Sequence, residues 1–456
     1  MINDTVIALA SAPLKQAIAI IRVSGPETFS LINKVFSRNI LNSSKEKYFG
    51  RIINPNTKII IDEVVLVCYY KNSSFTGEDT IEINCHGSML IVNKIIHLLL
   101  TIMKNDNIRL ATAGEFTKRA FLNGKIDLLQ AQAVNDLINA PNDEALALAM
   151  NSLNGNNSKL LKELETRLLE LIANITVNID YPEYDGVENL TQKLVLTRTN
   201  ELYSDLLTIT KQSKIAQVIN DGIDTVIIGK PNVGKSTLLN ALLKENRAIT
   251  STIAGTTRDI VTGKINIDNI SLNLIDTAGI RNTNDIIEQL GIQKSKQYLE
   301  KAQLILLVLD GSNILDNNDM LLLELVKDKN CIIIINKVDL QQKLSVVVSL
   351  LPLSSVPISA LNNDFNPLID KIKEMFLQEK INYHNNLILT ATHHQMLLDK
   401  ITITIEEAIQ ALNNSMPLDL VILHFQEAWD SLQEINGKII KDNLLDEMFS
   451  RFCLGK

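Results

Sequence analysis

The stretch DTVIIGKPNVGKS, Asp224 to Ser236, decides how the middle of this chain is read. Apolar and β-branched residues run up to Ile228. A loop bounded by Gly229 and Gly234 follows and closes on Lys235 and Ser236. This is the pattern GxxxxGK[ST] placed directly after an apolar strand, the context the pattern requires. The glycines let backbone N–H groups close around phosphate oxygens. Lys235 brings charge to the β- and γ-phosphates, and the Ser236 hydroxyl reaches Mg²⁺. Taken alone, the bare pattern is also compatible with a chance glycine loop.

Three further motifs follow in order. Asp276-Thr277-Ala278-Gly279 ends the apolar run SLNLI, so that its carboxylate can hold Mg²⁺ through water and its Gly279 N–H can face a γ-phosphate. Asn336-Lys337-Val338-Asp339 ends the run CIIII. A carboxylate at Asp339 can accept two hydrogens from the edge of guanine, and adenine offers no such pair. Ser359-Ala360, after VPI, completes a base pocket. Between the first two motifs lies IAGTTRD, whose Thr257 is placed to close over Mg²⁺ as a switch. Together the four motifs read as a GTPase. Ile280 stands after the aspartate motif, where many small GTPases carry a water-positioning glutamine. Arg258 and Arg281 lie in the switch loops, but solvated arginines are common there, and neither stands out as a finger.

Outward from this block the pattern changes. Continuous apolar strands alternate with helical segments through DTVIIG, SLNLIDTAG, AQLILLVLD, NCIIIINK and VPISA, which indicates a doubly wound parallel sheet. On either side, three- and four-residue apolar spacing predicts helices. Examples are IDLLQAQAVNDLINA, EALALAMNSL, SKLLKELETRLLELIANI and KLVLTRTNELYSDLLTITKQSKIAQ, with helix again after about Gln378. The first part reads as mixed: VIALA, AIAIIRVSG, EVVLVCYY and DTIEINC as strands, then LIVNKIIHLLLTIM as a helix. The expected fold is α/β plus all-α. An α+β domain (1–118) comes first. A helical domain follows in two segments (119–214 and 379–456). An inserted Ras-like doubly wound G domain (215–378) separates them.

Composition narrows the classes. The chain has 456 residues, with 46% hydrophobic and 21% charged, an ordinary globular balance with room for two to four domains. The net charge of −8 argues against a broad nucleic-acid footprint, so any RNA contact is expected to be local or made with a partner. The start lacks a basic segment followed by an apolar run, and no long uncharged apolar window occurs. Neither a signal peptide nor membrane insertion is read. Four scattered cysteines, Cys68, Cys85, Cys331 and Cys453, argue against a disulfide framework or a zinc site and fit a reducing cytoplasm.

The residues resemble a known family. NDTVIALASAP and IRVSGP near the start, FTGEDTIEINCHG, AGEFTKRAFLNGKIDLLQAQAV, GKPNVGKSTLLN, IAGTTRD and the terminal CLGK are together similar to the MnmE family, also called TrmE, of tRNA-modification GTPases. The resemblance covers essentially the whole chain. It implies a homodimer acting with an FAD-binding partner, MnmG (GidA), in a heterotetramer. That complex adds an aminomethyl or carboxymethylaminomethyl group to C5 of the wobble uridine of tRNA. The carbon donor is 5,10-methylene-tetrahydrofolate, with 5-formyl-tetrahydrofolate its stable relative, and tRNA is contacted together with the partner.

Residue roles follow from the resemblance. GTP is held by Asn232, Val233, Gly234, Lys235, Ser236 and Thr237. The switch contributes Ser251, Thr252, Ile253, Ala254, Gly255, Thr256 and Thr257. Asp276 to Gly279, then Asn336, Lys337, Asp339, Ser359 and Ala360, complete the set. Mg²⁺ is held by Ser236 and Thr257. K⁺ is held by Asn232, Ser251, Ile253 and Thr256, where an arginine finger would otherwise act. Glu288 orients the attacking water, beside Lys235 as the second catalytic group. Folate is held by Arg22, Glu82, Lys125 and Lys456: a carboxylate suits the pterin edge, and cations suit the glutamate tail.

Departures are Leu14-Lys15-Gln16-Ala17 in place of a glycine-rich stretch, Ser88 in place of a second glycine, and His393 in place of an arginine. The end, Cys453-Leu454-Gly455-Lys456, fits a prenylation box poorly. It reads either as a buried cysteine closing the last helix or, by resemblance, as a tail folded back toward the folate domain with Cys453 as a reactive thiol. A ribosome-assembly GTPase of the same P-loop class is the alternative. Such proteins usually carry an added RNA-binding domain or a second G domain. A membrane-associated switch is disfavoured by the lack of a basic amphipathic helix.

Overall fold

A computed structural model describes residues 4–41, 46–103, 107–180, 192–245, 261–267, 269–275, 299–343, 354–362, 365–377, 386–439, 442–450, 452–453 and 455. The chain forms two compact units. One comprises Met1–Ile138, Ser152–Thr199 and Ile403–Lys456; the other comprises Asn139–Asn151 and Asn200–Thr402. Elements are numbered along the chain.

In the first unit, β1 (Thr5–Leu9), β2 (Ile18–Ser24), β3 (Lys47–Ile53), β4 (Ile60–Tyr69), β5 (Thr80–His86) and β6 (Ile108–Leu110) form a sheet in the order β3-β4-β5-β2-β1-β6. Pairing is antiparallel except between β1 and β6. Alternation sets the faces. Ile81, Ile83 and Cys85 of β5 join Ile21 and Leu66 in the core under α1 (Thr28–Val35) and α2 (Met89–Ile102). Arg22 and Glu82 lie on the opposite face. Strand β3 escapes a sequence reading because Gly50 interrupts it and Lys47 and Arg51 flank it. The glycine is required there, since a Cβ at position 50 would stand 2.5 Å from the Phe36 ring. The same unit holds α3 (Glu115–Leu122), α4 (Leu128–Asn139), α6 (Asn156–Asp180), α12 (Leu418–Ile435) and α13 (Asp442–Ser450). Helix α6 packs along α12, and the buried Glu165 carboxylate of α6 accepts from Asn436 and Lys438 at 2.8 Å each.

Beneath the first sheet's edge sits an ion network. Arg119 of α3 is fully buried and bonds Asp4, Glu78 and Glu115, while Arg109 bonds Asp4 and Glu115. Burial opposes ionisation of Glu115, but its bonds from Arg109, the Thr112 N–H and Arg119 outweigh burial and hold its pKa down at about 2.

The second unit takes in α5 (Asp143–Leu153) up to Asn151 and α7 (Gln192–Asp221) from Asn200 on. Its sheet comprises β7 (Ile223–Ile228), β8 (Val261–Ile267), β9 (Ile270–Ile275), β10 (Leu304–Asp310), β11 (Cys331–Asn336) and β12 (Ser354–Pro357), in the order β12-β11-β10-β7-β9-β8. All pairs are parallel except β8 with β9. Strand β10 reads as one apolar run because both its faces are covered. Leu304, Leu306 and Val308 pack toward α8 (Lys235–Glu245) and α10 (Asn366–Phe376), while Ile305, Leu307 and Leu309 pack toward α9 (Asn317–Val326). Helix α11 (Thr392–Asn413) belongs to this unit up to Thr402. The fold is therefore α/β plus helical, with a P-loop sheet of the doubly wound type. The expected boundaries after residues 118 and 214 fall within α3 and α7, where the chain is continuous helix.

Candidate functional site

The strand order reverses at β7, which lies between β9 and β10. In doubly wound sheets a crevice opens outside the carboxyl ends of the strands at such a point. Among the described residues, four loops leave the sheet there: Gly229 after β7, Asp310 ending β10, Asn336 ending β11 and Ser359 after β12.

The loop from Gly229 to Ser236 has its shape forced by close neighbours. Gly229 has φ +148°, and a Cβ there would stand 2.4 Å from the Val308 carbonyl. Gly234 has φ +100°, and a Cβ there would stand 2.1 Å from the Asn336 amide. Asn232 takes φ +64°, a left-handed conformation that asparagine tolerates. Val233 is buried against the core, whereas Ser236 and Thr237 are exposed on the first turn of α8. The Lys235 ammonium donates to the carbonyls of Gly229, at 2.7 Å, and Lys230, at 2.6 Å. Burial pushes its pKa below the usual lysine value.

Asn336 joins two of these loops. It is 3% exposed. Its Nδ2 donates to the Val233 carbonyl at 2.8 Å, and its Oδ1 accepts from the Ala360 N–H at 3.0 Å. Asp339 accepts from the Ser359 hydroxyl at 2.6 Å, so its carboxylate is oriented before any ligand arrives. Lys337, at φ +64°, donates to Asp310 at 2.7 Å. Burial works against ionisation of Asp310, but Lys337 and Ser312 outweigh it and hold the carboxyl below its ordinary range. A cavity of ≈ 250 Å³ lies alongside, lined in part by Lys230, Asn232, Asp310, Asp319 and Lys337.

Asn232 to Thr237, Asn336, Lys337, Asp339, Ser359 and Ala360 thus come together at one edge of the sheet. Ser251 to Thr257, Asp276 to Gly279, Glu288 and Lys456 lie outside the described residues. The sequence reading missed Asp310, whose only signal is a carboxylate ending a fully apolar strand. Among the described residues, no group of three or more His, Cys, Asp or Glu side chains could hold a metal ion. Nor, among the described residues, is any helix long and apolar enough to cross a membrane.

A second polar cluster belongs to the first unit. Arg22 and Glu82 face each other directly across β2 and β5. Arg22 Nε and Nη2 donate to Glu82 Oε1 at 3.0 and 2.7 Å, and Nη1 donates to the Gly455 carbonyl at 2.9 Å. The guanidinium sits 5.5 Å from the Phe116 ring centroid. Tyr69 of β4 lies diagonal to Glu82; burial first, then the Glu82 charge, pushes the phenol pKa up. Tyr69 carried no sequence signal.

The tail is seated by Gly455, at φ +87°, where a Cβ would meet the Leu9 carbonyl at 2.4 Å. The Cys453 carbonyl accepts from Gly114 N–H at 3.4 Å. Cys453 itself is exposed, which corrects the reading of a buried cysteine closing the last helix. Lys125 is not drawn into the Arg22 pair; its ammonium donates to the Asn72 carbonyl at 3.0 Å. The altered 14–17 loop rests on Gly87, with Gln16 N–H donating to the Gly87 carbonyl at 3.1 Å.

Comparison with known proteins adds a family. Residues 5–125 match the model described as GTP-binding protein TrmE N-terminus, and residues 128–453 match the MnmE helical domain. A protein named tRNA modification GTPase MnmE, from Mycoplasma mycoides subsp. mycoides SC, is 42% identical over 466 residues, covering 100% of both chains. Proteins of the same name are 41% identical in Enterococcus faecalis, over 99% of this chain and 98% of the relative, and 42% identical in Clostridioides difficile, over 100% of both.

Proposed function

The chain belongs to the MnmE family of tRNA modification GTPases, and on that premise we propose that it is the GTP-hydrolysing component of a wobble-uridine C5 modification complex. It adds an aminomethyl or carboxymethylaminomethyl group with an FAD-binding partner of the MnmG kind and a tetrahydrofolate one-carbon donor. It works as a homodimer through residues 1–118, in the cytoplasm, and meets tRNA together with the partner. The observation that carries the GTPase part is the convergence of the 229–236 loop, Asn336, Asp339 and Ser359 at the reversal point of the sheet.

The roles follow from chemistry. Backbone N–H groups of the loop surround the phosphates, and Lys235 neutralises them in a partly desolvated setting, where its charge acts more strongly. Asp339, already oriented by Ser359, accepts the two guanine hydrogens. Asn336 holds the phosphate loop and the base loop at a fixed separation. Ser236, exposed beside Lys235, offers its hydroxyl to Mg²⁺ together with Thr257. Asn232 offers its side chain to K⁺ with Ser251, Ile253 and Thr256. When bound, these cations supply positive charge against the leaving phosphate oxygens. Glu288 orients the attacking water. In the first unit, Arg22, Glu82, Lys125 and Lys456 hold the folate, and Cys453 is an accessible thiol near the docked tail.

Three measurements test this reading. GTP turnover should be faster in K⁺ than in Na⁺, and Asp339→Asn should weaken selection for guanine. Mass analysis of wobble uridines should find the C5 group missing from cells without this protein. Normal modification in those cells would overturn the proposal.

A further inference from the structure

Lys230 occupies a position that GxxxxGK[ST] leaves open to any residue. Its side chain is nonetheless pinned. The ammonium lies 2.8 Å from Asp316 Oδ2 and 2.6 Å from Asp319 Oδ2. These carboxylates form the capping box of α9. Asp316 Oδ1 accepts from the N–H groups of Asn318 and Asp319, at 2.9 and 3.1 Å, and Asp319 Oδ2 accepts from the Asp316 N–H at 3.1 Å. Asp319 is 4% exposed, and its Oδ1 has no hydrogen-bond partner among the described residues. Lys230 is thus its only cationic contact found there. At its other end, the Lys230 carbonyl accepts the Lys235 ammonium at 2.6 Å. One residue therefore links the N-terminus of α9 to the lysine that the pattern assigns to the phosphates.

The backbone around it needs such a tie. Gly229 and Gly234, both at positive φ, bound the loop, and glycine loses more conformational freedom on ordering than any other residue. Pro231 removes one backbone donor next to Lys230. The ≈ 250 Å³ cavity bordered by Lys230, Asp310 and Asp319 leaves space into which the loop can relax. We propose that Lys230 is a positioning residue for GTP hydrolysis: its clamp to Asp316 and Asp319 fixes the carbonyl that aims Lys235 at the β- and γ-phosphates. The proposal rests on the reading of Lys235 as the phosphate lysine.

The experiment compares Lys230→Met, Lys230→Arg, Asp316→Asn and Lys235→Ala in the full chain. GTP turnover, affinities for GTP and GMP, and melting temperature are measured for each. Lys230→Met should lower kcat/KM for GTP about tenfold, the low end of what hydrogen bonds to charged groups contribute. It should leave GMP affinity unchanged, because GMP lacks the phosphates that Lys235 serves. Lys230→Arg should recover most of the loss. Asp316→Asn should lose part of it, since asparagine caps a helix as well as aspartate does, so the loss would report the ion pair alone. Joined to Lys230→Met, it should add nothing. Equal losses for GTP and GMP, or a lower melting temperature with normal turnover, would overturn the positioning role. Normal GTP affinity in Lys235→Ala would overturn the phosphate reading and the proposal with it. If Lys235→Ala is impaired but Lys230→Met is normal, only the positioning role fails.

Discussion

Asn336→Asp tests whether one buried amide holds the nucleotide site together. In the parent, Nδ2 donates to the Val233 carbonyl and Oδ1 accepts from Ala360 N–H, with the side chain 3% exposed. Aspartate keeps the shape and the Ala360 bond but places a carboxylate oxygen 2.8 Å from a carbonyl oxygen, where the donor stood. The buried site can be satisfied again only if that oxygen carries a proton. Forcing a carboxyl with an ordinary pKa of ~3.9 to stay protonated at pH 7 costs about 4 kcal/mol, at ~1.4 kcal/mol per unit. The sign follows: a folded pKa raised above the unfolded one leaves stability intact below pH ~4 and removes it as pH rises. Asn336→Ala instead leaves Val233 C=O and Ala360 N–H unpaired, costing ~2–6 kcal/mol at any pH. Urea denaturation of the three proteins at several pH values, with GTP affinity alongside, measures both. The deficit of Asn336→Asp should grow by ~1.4 kcal/mol per pH unit above pH ~4, and that of Asn336→Ala should stay flat. An Asn336→Asp deficit that is negligible at pH 7.5, or one that does not change with pH, would refute the bridging role.

Gly455→Ala should release the C-terminal tail. The new Cβ would strike the Leu9 carbonyl at 2.4 Å and sit at φ +87°, so ~1–3 kcal/mol of strain goes against docking; carboxypeptidase digestion should accelerate, and unchanged digestion would contradict the seating described. Arg119→Met leaves Asp4, Glu78 and Glu115 facing one another without their buried cation and should cost ~3–5 kcal/mol, read as a lower urea midpoint; a loss below ~1 kcal/mol would refute the network's weight. His394 is held neutral by burial first and then by His393, with its pKa down from 6.5 to about 4. The unfolded chain takes up its proton as pH falls through 6.5, so stability should drop by ~1.4 kcal/mol per unit from there toward pH 4. In His394→Gln that component of the pH slope should disappear, and an unchanged slope would count against the assignment.

Much of the second unit was legible in the sequence. Strand β10 could be found as LILLVLD because both its faces are covered, and a doubly buried strand has to be apolar throughout. The glycines at 229 and 234 were legible for a related reason: no other residue fits beside the Val308 carbonyl and the Asn336 amide. Strand β3 was not legible, since Gly50 and its charged neighbours hide an alternation that makes sense only once Phe36 is packed over it.

Residue types and their order are local properties, and composition, periodicity and motif spacing record them. They fixed the class of chemistry, the doubly wound sheet and the helical segments around it. Which side chain answers which is a property of contacts between positions far apart in the chain. Asn336 reaches back across 103 positions to Val233, Arg22 meets Gly455 across 433, and Lys230 meets α9 across 86. Strand register, burial and the backbone turns at Gly234 and Gly455 decide those meetings. Asn336 therefore acts as a brace between loops, Cys453 stands exposed while Gly455 is buried, and Lys230 is held by a helix cap. The sequence contains these residues without showing that they touch, because hydrogen bonds of 2.6–3.0 Å form only after the whole core has fixed the positions of their backbones.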